Sequence, residues 1–392
     1  MQADRTRRPQ ICIVVAAPLT LKAFMLGHAK ALTRIADLTL VANFVPEDES
    51  YPWPVDIVRV AIPIVRPISP WSDLRALLAL FRLFRQKRFD LVHSITPKAG
   101  LLAMLAAWLG GVPLRLHTFT GQVWVTRTGF MRSLLKSADR LLARLATQVL
   151  ADSVSQREFL IAERIVAASK STVLAEGSIC CVDTARFRPD AAARERIRRS
   201  LGIPPGAVLF LYLGRINRDK GLLDLAQAFA AAGGDDTGAH LLLVGPDEAG
   251  LGAEIEAAAG SCSARLHRVD FTERPEEYFA AADVFCLPSY REGFGSTIIE
   301  AAAAGVPAIA SRIYGITDAI VDAETGLMFE AGNRRQLAQS MRTLAGDAGL
   351  RARMGQNAKE RAARDFSATA VSAALVEYYL TLLAQRADRG PG

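Results

Sequence analysis

The feature that most limits the fold of this chain is an alternation of short apolar runs with helical patterns, which occurs twice. It extends over residues 11–150 and begins again at Val208, after a stretch rich in proline and arginine. Such an alternation is typical of βαβ units and a parallel, doubly wound sheet. The 392 residues are also too many for one ordinary core. We therefore predict an α/β protein with two tandem Rossmann-like domains.

The predicted domain boundary lies where the alternation stops. Residues 188–206 hold Pro189, several arginines and a turn of glycine and proline. We predict a first domain over 9–190, a linker over 191–206 and a second domain over 207–367. A last helix, over 368–386, is expected to pack back on the first domain. We expect the carboxyl ends of the strands of the two sheets to face each other across a cleft. Ligands bind at these ends in sheets of this kind.

Charge is distributed unevenly along the chain. Residues 1–190 carry 25 Lys and Arg against 15 Asp and Glu, whereas the remainder carries 22 against 25. A basic half indicates an anionic partner, which could be nucleic acid, anionic lipid or a phosphorylated substrate. Interleaved aromatic and basic residues of the kind that bind single strands are missing, which argues against nucleic acid. The five cysteines show no paired spacing, so we expect a reducing, cytoplasmic location.

Two segments raise the question of a membrane. Arg5, Arg7 and Arg8 precede the apolar run 11–17, but this run is short and ends at Pro18, so we predict a buried first strand. No run reaches the roughly 18–20 apolar residues that cross a bilayer. The segment 71–88 combines Trp, Leu and Arg with helical spacing. It predicts either a helix that packs its leucines on the sheet or peripheral contact with an anionic membrane.

The richest stretch follows the predicted strand 282–288. Glu292 and Glu300 stand eight residues apart, with Gly293-Phe294-Gly295 and then Ser296 and Thr297 between them. A strand, a glycine turn and a helix start form a common anion-binding geometry, because the first N–H groups of a helix are unpaired. The carboxylates would repel a phosphate, so we expect them to accept from hydroxyl groups beside it. Glu300 stands among apolar residues, where a carboxylate needs partners.

Two further places carry candidate residues. Arg215 and Lys220, in the loop 214–221 after the first strand of the second domain, can converge on one anion. The alternative is a solvated basic loop. His117 ends a strand of the first domain, where it could face a sugar hydroxyl or serve only in the core. His93 also ends a strand, and for it we favour a structural role.

Together these motifs resemble the retaining glycosyltransferases of the GT-B fold known as glycosyltransferase family 4. The resemblance covers nearly all of the second domain and is carried by residues 214–221, 242–245, 269–271, 282–284, 288–289, 292–301 and 305–307. Residues 18–21, 93–100 and 117–118 resemble the branch that builds bacterial surface polysaccharides on lipid carriers, such as capsule and lipopolysaccharide.

The resemblance implies a role for each matching position. Arg215 and Lys220 would hold the donor diphosphate, Glu292 would face the sugar, and Glu300 would bond the ribose. His117 would contact the donor sugar from the first domain. The remaining donor-binding positions would be Gly214, Val269, Phe271, Gly293, Phe294, Gly295, Ser296 and Thr297, and the acceptor-side positions Thr20, Lys98 and Thr118.

The implied activity is transfer of a sugar from a nucleotide-diphosphate sugar, most simply a UDP-sugar, to a lipid-linked saccharide. Arg215, Lys220 and the helix start could stabilise the leaving diphosphate without a metal, so we expect no metal site and no cofactor beyond this co-substrate. The alternative is a nucleotide-sugar epimerase of the same fold. An oxidoreductase is excluded because no G-x-G-x-x-G follows the first strand of either domain. We expect a cytoplasmic enzyme, in peripheral contact with the inner face of the cytoplasmic membrane.

Overall fold

Two parallel sheets organise the chain, each within its own unit. The computed structural model describes residues 7–54, 56–65, 67–233 and 238–389. Unit 1 consists of Met1–Cys181 with Ala368–Gly392, and unit 2 of Val182–Ser367. The predicted α/β class with two Rossmann-like sheets is confirmed.

Strands and helices are numbered here in chain order. The strands of unit 1 are β1 Gln10–Val14, β2 Asp37–Ala42, β3 Ile57–Ala61, β4 Leu91–Ile95, β5 Leu114–Phe119, β6 Gln148–Ala151 and β7 Ser171–Val173. Those of unit 2 are β8 Leu209–Leu213, β9 His240–Val244, β10 Leu266–Val269, β11 Val284–Leu287, β12 Ala308–Ser311 and β13 Gly326–Phe329. The first six helices are α1 Pro18–Phe24, α2 Leu26–Leu32, α3 Pro70–Lys87, α4 Pro97–Leu109, α5 Gly129–Leu145 and α6 Val154–Ala162. Unit 2 adds α7 Ala191–Ser200, α8 Leu222–Ala231, α9 Gly252–Ala259, α10 Pro275–Ala281, α11 Ser296–Ala303, α12 Ile316–Ala319, α13 Arg334–Gly346 and α14 Ala348–Asp365, and the last helix is α15 Ala368–Arg389.

Both sheets have the doubly wound strand order. In unit 1 the order is β3-β2-β1-β4-β5-β6-β7, and in unit 2 it is β10-β9-β8-β11-β12-β13. All of these pairs are parallel, as in Ile13 beside His93 and Phe285 beside Leu211. The order reverses between β1 and β4 and again between β8 and β11. In sheets of this kind the ligand crevice lies at the carboxyl ends of the strands where the order reverses.

Helices cover both faces of the sheet in unit 1, which explains the continuous apolar runs. Ile11 and Ile13 of β1 pack with α1, α2 and α15, whereas Cys12 and Val14 pack on the other face with α3, α4 and α5. Successive strand residues point to opposite faces, so a strand covered on both sides is apolar throughout. Residues 11–14 of the apolar run therefore lie in a buried strand, as predicted, and Arg5 lies outside the described residues.

The last helix returns to unit 1, as predicted. Tyr379 of α15 is fully buried, and its hydroxyl forms a 2.6 Å hydrogen bond with His93 Nδ1. Ser372 Oγ lies 2.8 Å from Nδ1 of the buried His28. The expected structural role of His93 is thus accounted for, since its Nε2 also bonds Thr118 Oγ1 at 2.7 Å. Buried polar groups need such partners, and here they attach the end of the chain to its beginning.

The predicted linker over 191–206 is wrong. Most of it forms α7, which packs against α10 within unit 2. Arg194 bonds Asp283 Oδ1 at 2.6 Å. Arg198, which is buried, bonds Oδ2 of the same carboxylate. Asp283 Oδ2 also accepts a 2.7 Å hydrogen bond from Leu209 N. The arginines were interpreted as part of a domain boundary, whereas two of them share the Asp283 carboxylate at the start of β11 and Arg196 pairs with Glu277 of α10. The first predicted domain accordingly ends nearer Cys181 than residue 190.

Short or polar elements were not predicted. Strands β7 and β13 and helix α6 have three, four and nine residues, and β7 is only partly buried. No helix in the described part of the chain is long and apolar enough to cross a membrane.

Candidate functional site

The two richest motifs follow the two strands of unit 2 between which the order reverses. The loop 214–221 leaves the carboxyl end of β8, and residues 288–295 leave the carboxyl end of the neighbouring β11 before α11 begins. The strands are neighbours in the sheet, so loops 70 residues apart in sequence meet at one edge. This edge of unit 2 is the expected place for a ligand.

Lys220 and Glu292 form the centre of the site. Lys220 Nζ lies 2.6 Å from Glu292 Oε1, and the same oxygen accepts a 2.7 Å hydrogen bond from Ser289 Oγ. Both partners are mostly buried, with side chains 16% exposed. Among the described residues, none bonds Glu292 Oε2. One carboxylate oxygen is thus fixed by the protein, and the other can accept from a ligand hydroxyl.

A close approach of two backbones holds the two loops together. Gly221 has φ +69°, and a Cβ added there would lie 2.1 Å from the carbonyl oxygen of Pro288. Only glycine permits both this φ and this distance. Nearby, Tyr290 N donates to Asp219 O at 2.9 Å, and Arg291 pairs with the Asp219 carboxylate at 2.7 Å. The positions of Lys220 and Glu292 are therefore set by several contacts between their loops.

Arg215 lies on the same loop and is more exposed. Its Nη1 bonds Glu248 Oε2 at 2.7 Å, and its carbonyl oxygen accepts from the buried Tyr212 hydroxyl at 2.8 Å. The backbone is thus held by the core, while the guanidinium, 46% exposed, makes a surface ion pair. Such pairs contribute little, so an incoming anion can compete for this guanidinium.

The start of α11 supplies backbone donors. Gly295 precedes it with φ +75°, a left-handed conformation that a residue with a side chain rarely adopts. Phe294 is 2% exposed, and its ring lies 5.2 Å from that of Phe366. Phe294 therefore anchors the turn through its side chain, while Ser296 and Thr297 begin the helix, where N–H groups point toward an anion.

Glu300 lies one turn further along α11, between buried apolar residues. Its pKa is raised to about 7: burial is the largest cause, Arg186 lowers the pKa, and the nearby Glu276 raises it. Part of the side chain remains accessible, and no described residue forms a hydrogen bond or ion pair with its carboxylate. A carboxylate without protein partners at this edge can accept from ligand hydroxyls.

The end of β10 forms another side of this edge. Val269 is its last residue, and its carbonyl oxygen accepts from Gly245 N at 2.9 Å. Phe271 follows and is 62% exposed, which is unusual for so large an apolar side chain. In the described residues no three His, Cys, Asp or Glu side chains are grouped to hold a metal ion.

Comparison with known proteins identifies the family of the chain. The family "Glycosyl transferases group 1" matches residues 193–361, and the "Glycosyl transferase 4-like domain" matches residues 25–177. The capsular polysaccharide biosynthesis glycosyltransferase CapM of Staphylococcus aureus is 31% identical over 323 residues, which are 82% of this chain and 84% of CapM. This chain belongs to the group 1 glycosyltransferases.

More distant relatives of the glycosyltransferase agree with this assignment. The UDP-Gal:alpha-D-GlcNAc-diphosphoundecaprenol alpha-1,3-galactosyltransferase of Escherichia coli is 26% identical over 271 residues, 68% of this chain and 69% of that enzyme. The structure is similar to that of Anabaena HepE in complex with UDP and glucose, with a TM-score of 0.79 at 17% identity, over 95% of this chain and 100% of HepE. The fold is therefore GT-B. The family favours a transferase that takes its sugar from a nucleotide sugar over the epimerase alternative.

Two predicted residues of the glycosyltransferase's first unit are not available to a ligand in the structure. His117 is 1% exposed, its Nδ1 lies 2.8 Å from Ser94 Oγ, and its ring packs edge-on against Phe119. Burial lowers the pKa of His117 to about 3, so it stays neutral. Thr118 is also 1% exposed and bonds His93. To contact a ligand, His117 and Thr118 would have to leave these buried positions, and their donor and acceptor roles remain predictions.

The other acceptor-side residues lie at the reversal of the strand order in unit 1. Thr20 is in the first turn of α1, after β1, and Lys98 is in the first turn of α4, after β4. Lys98 pairs with Asp73 and donates to Pro67 O. An acceptor role for Lys98 would require its ammonium to leave Asp73 and Pro67. Thr20 is partly exposed, so a ligand can reach it without such a change. Their roles remain predictions.

Sequence reasoning missed three residues that shape the site of this glycosyltransferase. Ser289 is fully buried and fixes Glu292, Asp219 joins the two loops, and Tyr212 holds the backbone at Arg215. The adjacent Pro288-Ser289 was part of the family resemblance, which was a usable signal for Ser289. Nothing in the sequence pattern marked Asp219 or Tyr212, since their contacts join segments that are distant in sequence or hidden in a strand.

Proposed function

We propose that this glycosyltransferase moves a sugar from a UDP-sugar to a lipid-linked saccharide, with retention of configuration, in the assembly of a surface polysaccharide. The observation that carries the proposal is the pair of Lys220 and Glu292 at the edge of unit 2 where the strand order reverses, beside the start of α11. Relatives support the pathway and the acceptor, since one is named for capsular polysaccharide and another for a diphosphoundecaprenol acceptor.

The donor would use each group of the site for a different part. Lys220 and Arg215 would meet the diphosphate, because an ammonium and a guanidinium both favour phosphate oxygens. Glu300 would accept from the ribose hydroxyls, and the exposed Phe271 would cover the base. Glu292 Oε2 would accept from a sugar hydroxyl while Oε1 stays bonded to Ser289.

The proposed chemical step breaks the bond between the anomeric carbon and the diphosphate oxygen. Negative charge then develops on the diphosphate, where Lys220, Arg215 and the N–H groups of α11 would stabilise it. The acceptor oxygen forms the new bond on the face that the diphosphate leaves, and its proton passes to a diphosphate oxygen. Glu292 is a poor nucleophile for a double displacement, since Lys220 and Ser289 hold one of its oxygens. Three positive groups could supply the stabilisation without a metal.

The donor test measures KM for UDP-, GDP- and dTDP-linked sugars at pH 6 and pH 8. We expect a lower KM for a UDP-sugar than for a dTDP-sugar, because the deoxyribose of dTDP lacks one hydroxyl for Glu300, and the GDP-sugar, which has the same ribose as UDP, reports the preference for the base. Since the pKa of Glu300 is about 7, its carboxylate is mostly protonated at pH 6 and ionised at pH 8. The ionised form accepts better, so KM should fall by up to about tenfold as the pH rises.

Glu300→Gln should raise KM for the UDP-sugar and remove its dependence on pH, because the amide does not titrate. Glu324→Gln, an exposed carboxylate of the same unit, serves as the matched control and should behave as wild type. An unchanged pH profile in Glu300→Gln, or equal KM values for UDP- and dTDP-sugars, would contradict the assignment of Glu300 to the ribose.

Peripheral membrane contact is proposed through α3. Its Ala76, Leu80 and Phe84 face the core, as the alternative of a helix packed on the sheet required. Its other face exposes Trp71, at 78%, with Leu74 and Leu78. Arg75 and Arg82 stand at helical spacing beside them. A helix with apolar and basic residues outward suits the interface of an anionic bilayer.

Sedimentation with anionic vesicles at low salt tests this contact. The wild type should sediment, and replacing Trp71, Leu74 and Leu78 by serine should weaken partition at least about tenfold, because each apolar side chain in the interface contributes on the order of 1 kcal/mol. Leu380→Ser removes an exposed leucine of α15, whose helix packs on the other face of the sheet, and should have no effect. A wild-type chain that stays in the supernatant would exclude the contact.

A further inference from the structure

A cavity of about 430 Å³ lies in unit 1, at the edge of the sheet where strands begin. Asp90 and Pro113 line this cavity. Asp90 directly precedes β4, and Pro113 directly precedes β5. Ligands of the transfer reaction are expected at the opposite edge, where strands end. This cavity therefore does not belong to the site described above.

Four arginines and one carboxylate line the cavity. Arg7 comes from the segment before β1, Arg85 and Arg88 from the end of α3, and Arg386 from α15. The carboxylate is that of Asp90, so the net charge of these five side chains is three positive charges. These arginines come from segments at opposite ends of the sequence, from Arg7 to Arg386, and the fold brings them to one cavity. Arginine in such a cluster favours phosphate, because its planar fork can donate two parallel hydrogen bonds.

The partners of these groups leave two arginines available. The Asp90 carboxylate accepts from Gln10 N at 2.8 Å and pairs with Arg7 at 3.7 Å and Arg386 at 3.4 Å. Among the described residues, the side chains of Arg85 and Arg88 have no hydrogen bond or ion pair. Asp90 thus positions two guanidinium groups, and the other two stand at the same cavity without a counter-charge.

A simpler explanation covers only part of this cluster. Basic residues in the last turn of a helix are stabilised by its dipole, which accounts for Arg85 at the end of α3. It does not account for Arg7 and Arg386, which belong to other segments and reach the cavity from outside that helix. Nor does it account for the hollow, whose volume lies in the range of small-ligand sites, roughly 300–1,000 Å³.

We propose that this cavity binds an anion that carries a diphosphate group. A diphosphate carries two to three negative charges near neutral pH, which matches the three positive charges of the lining. The volume leaves room for a group attached to the diphosphate, and the buried rings of Phe84 and Phe89 line the cavity beside the arginines. A soluble diphosphate and the headgroup of an anionic lipid share the chemistry that the arginines recognise.

The test titrates inorganic diphosphate into the full-length chain by calorimetry. Arg215→Ala and Lys220→Ala are introduced first, so that the proposed donor site does not contribute heat. In this background we expect saturable binding, with inorganic monophosphate about tenfold weaker because it reaches fewer guanidinium groups. Arg85→Gln with Arg88→Gln should weaken diphosphate binding by about tenfold or more. Both side chains are exposed, and an unchanged thermal midpoint will show that the variant is folded.

Lys30→Gln with Arg34→Gln is the matched control. It removes two exposed positive charges, one from α2 and one from the turn after it, which do not line the cavity, and it should leave binding unchanged. Equal weakening in both double variants, equal binding of monophosphate, or no diphosphate binding at all would overturn the proposal. These results are independent of the donor site, because Arg215 and Lys220 are replaced by alanine in every variant compared.

Vesicles distinguish the two sources of the group. If the headgroup is the ligand, Arg85→Gln with Arg88→Gln will reduce sedimentation with vesicles that contain diacylglycerol diphosphate, relative to the Lys30 and Arg34 control. If the ligand is soluble, the two double variants will sediment equally, while diphosphate binding in solution still depends on Arg85 and Arg88. Either result supports the site and assigns its source.

Discussion

Lys220→Ala is expected to lower kcat for sugar transfer by about 10²–10³-fold, the usual cost of removing one donor that stabilises developing charge. The Lys220 ammonium is held beside Glu292 at 2.6 Å, at the edge of the sheet where the diphosphate is proposed to bind. Charge grows on the diphosphate as the sugar leaves, so the loss should fall more on kcat than on KM. Initial rates over a range of UDP-sugar concentrations separate the two.

Arg218→Ala is the matched control for this experiment. Arg218 is a cation two residues away, 65% exposed and paired with Glu254, so its removal should change kcat little. The free energy of unfolding should fall in Lys220→Ala, because the mostly buried Glu292 carboxylate loses its counter-charge, so kcat is compared at a temperature at which both variants are folded. A Lys220→Ala enzyme with wild-type kcat would refute the role of Lys220 in the leaving-group step.

Gly221→Ala is expected to destabilise unit 2 by roughly 2–4 kcal/mol, through left-handed backbone strain and a steric clash. The added Cβ would lie 2.1 Å from Pro288 O, so the loop that carries Lys220 must move away from the loop that carries Glu292. A displacement of about 1 Å at a reacting centre can cost about 10²-fold in rate. Thermal unfolding should show a midpoint lower by roughly 5–15 °C, and transfer activity should fall with it.

Gly206→Ala in the same unit gives the comparison. Gly206 is exposed, its φ is not in the left-handed region, and nothing lies within 4 Å of an added Cβ. This substitution should therefore shift stability by less than about 0.5 kcal/mol. A Gly221→Ala protein as stable and active as Gly206→Ala would mean that the two loops are not held together by this contact.

Much of the fold was predictable from local pattern. The apolar runs that became β1, β8, β9 and β11 are strands with both faces covered, and such strands are apolar at every position. The helix over 191–200 was not predictable in this way, because its arginines were interpreted as part of a domain boundary. The pairing of Arg194 and Arg198 with Asp283 depends on a contact more than 80 residues away in sequence.

The residues of the candidate site also differ in how far the sequence predicted them. Glu292, Lys220 and Arg215 were identified as candidates because their loops follow strands and carry charge where a βα turn places ligands. His117 left two alternatives open, since a residue at a strand end can point into the core as well as toward the crevice. Its hydrogen bond to Ser94 and its position beside Gly100 of α4 bury it in unit 1.

The sequence by itself determined that this is a two-sheet α/β glycosyltransferase, because hydrophobic period and motif spacing are local properties that survive without the rest of the chain. Only the tertiary structure decided how the charges are partnered. It placed Lys220 on Glu292, Asp219 on Arg291, and two arginines of α7 on one carboxylate. It also brought Arg7, Arg85, Arg88 and Arg386 to one cavity. The physical reason is that Coulomb and hydrogen-bond energies depend on distances of a few ångströms, which are set by the packing of distant segments.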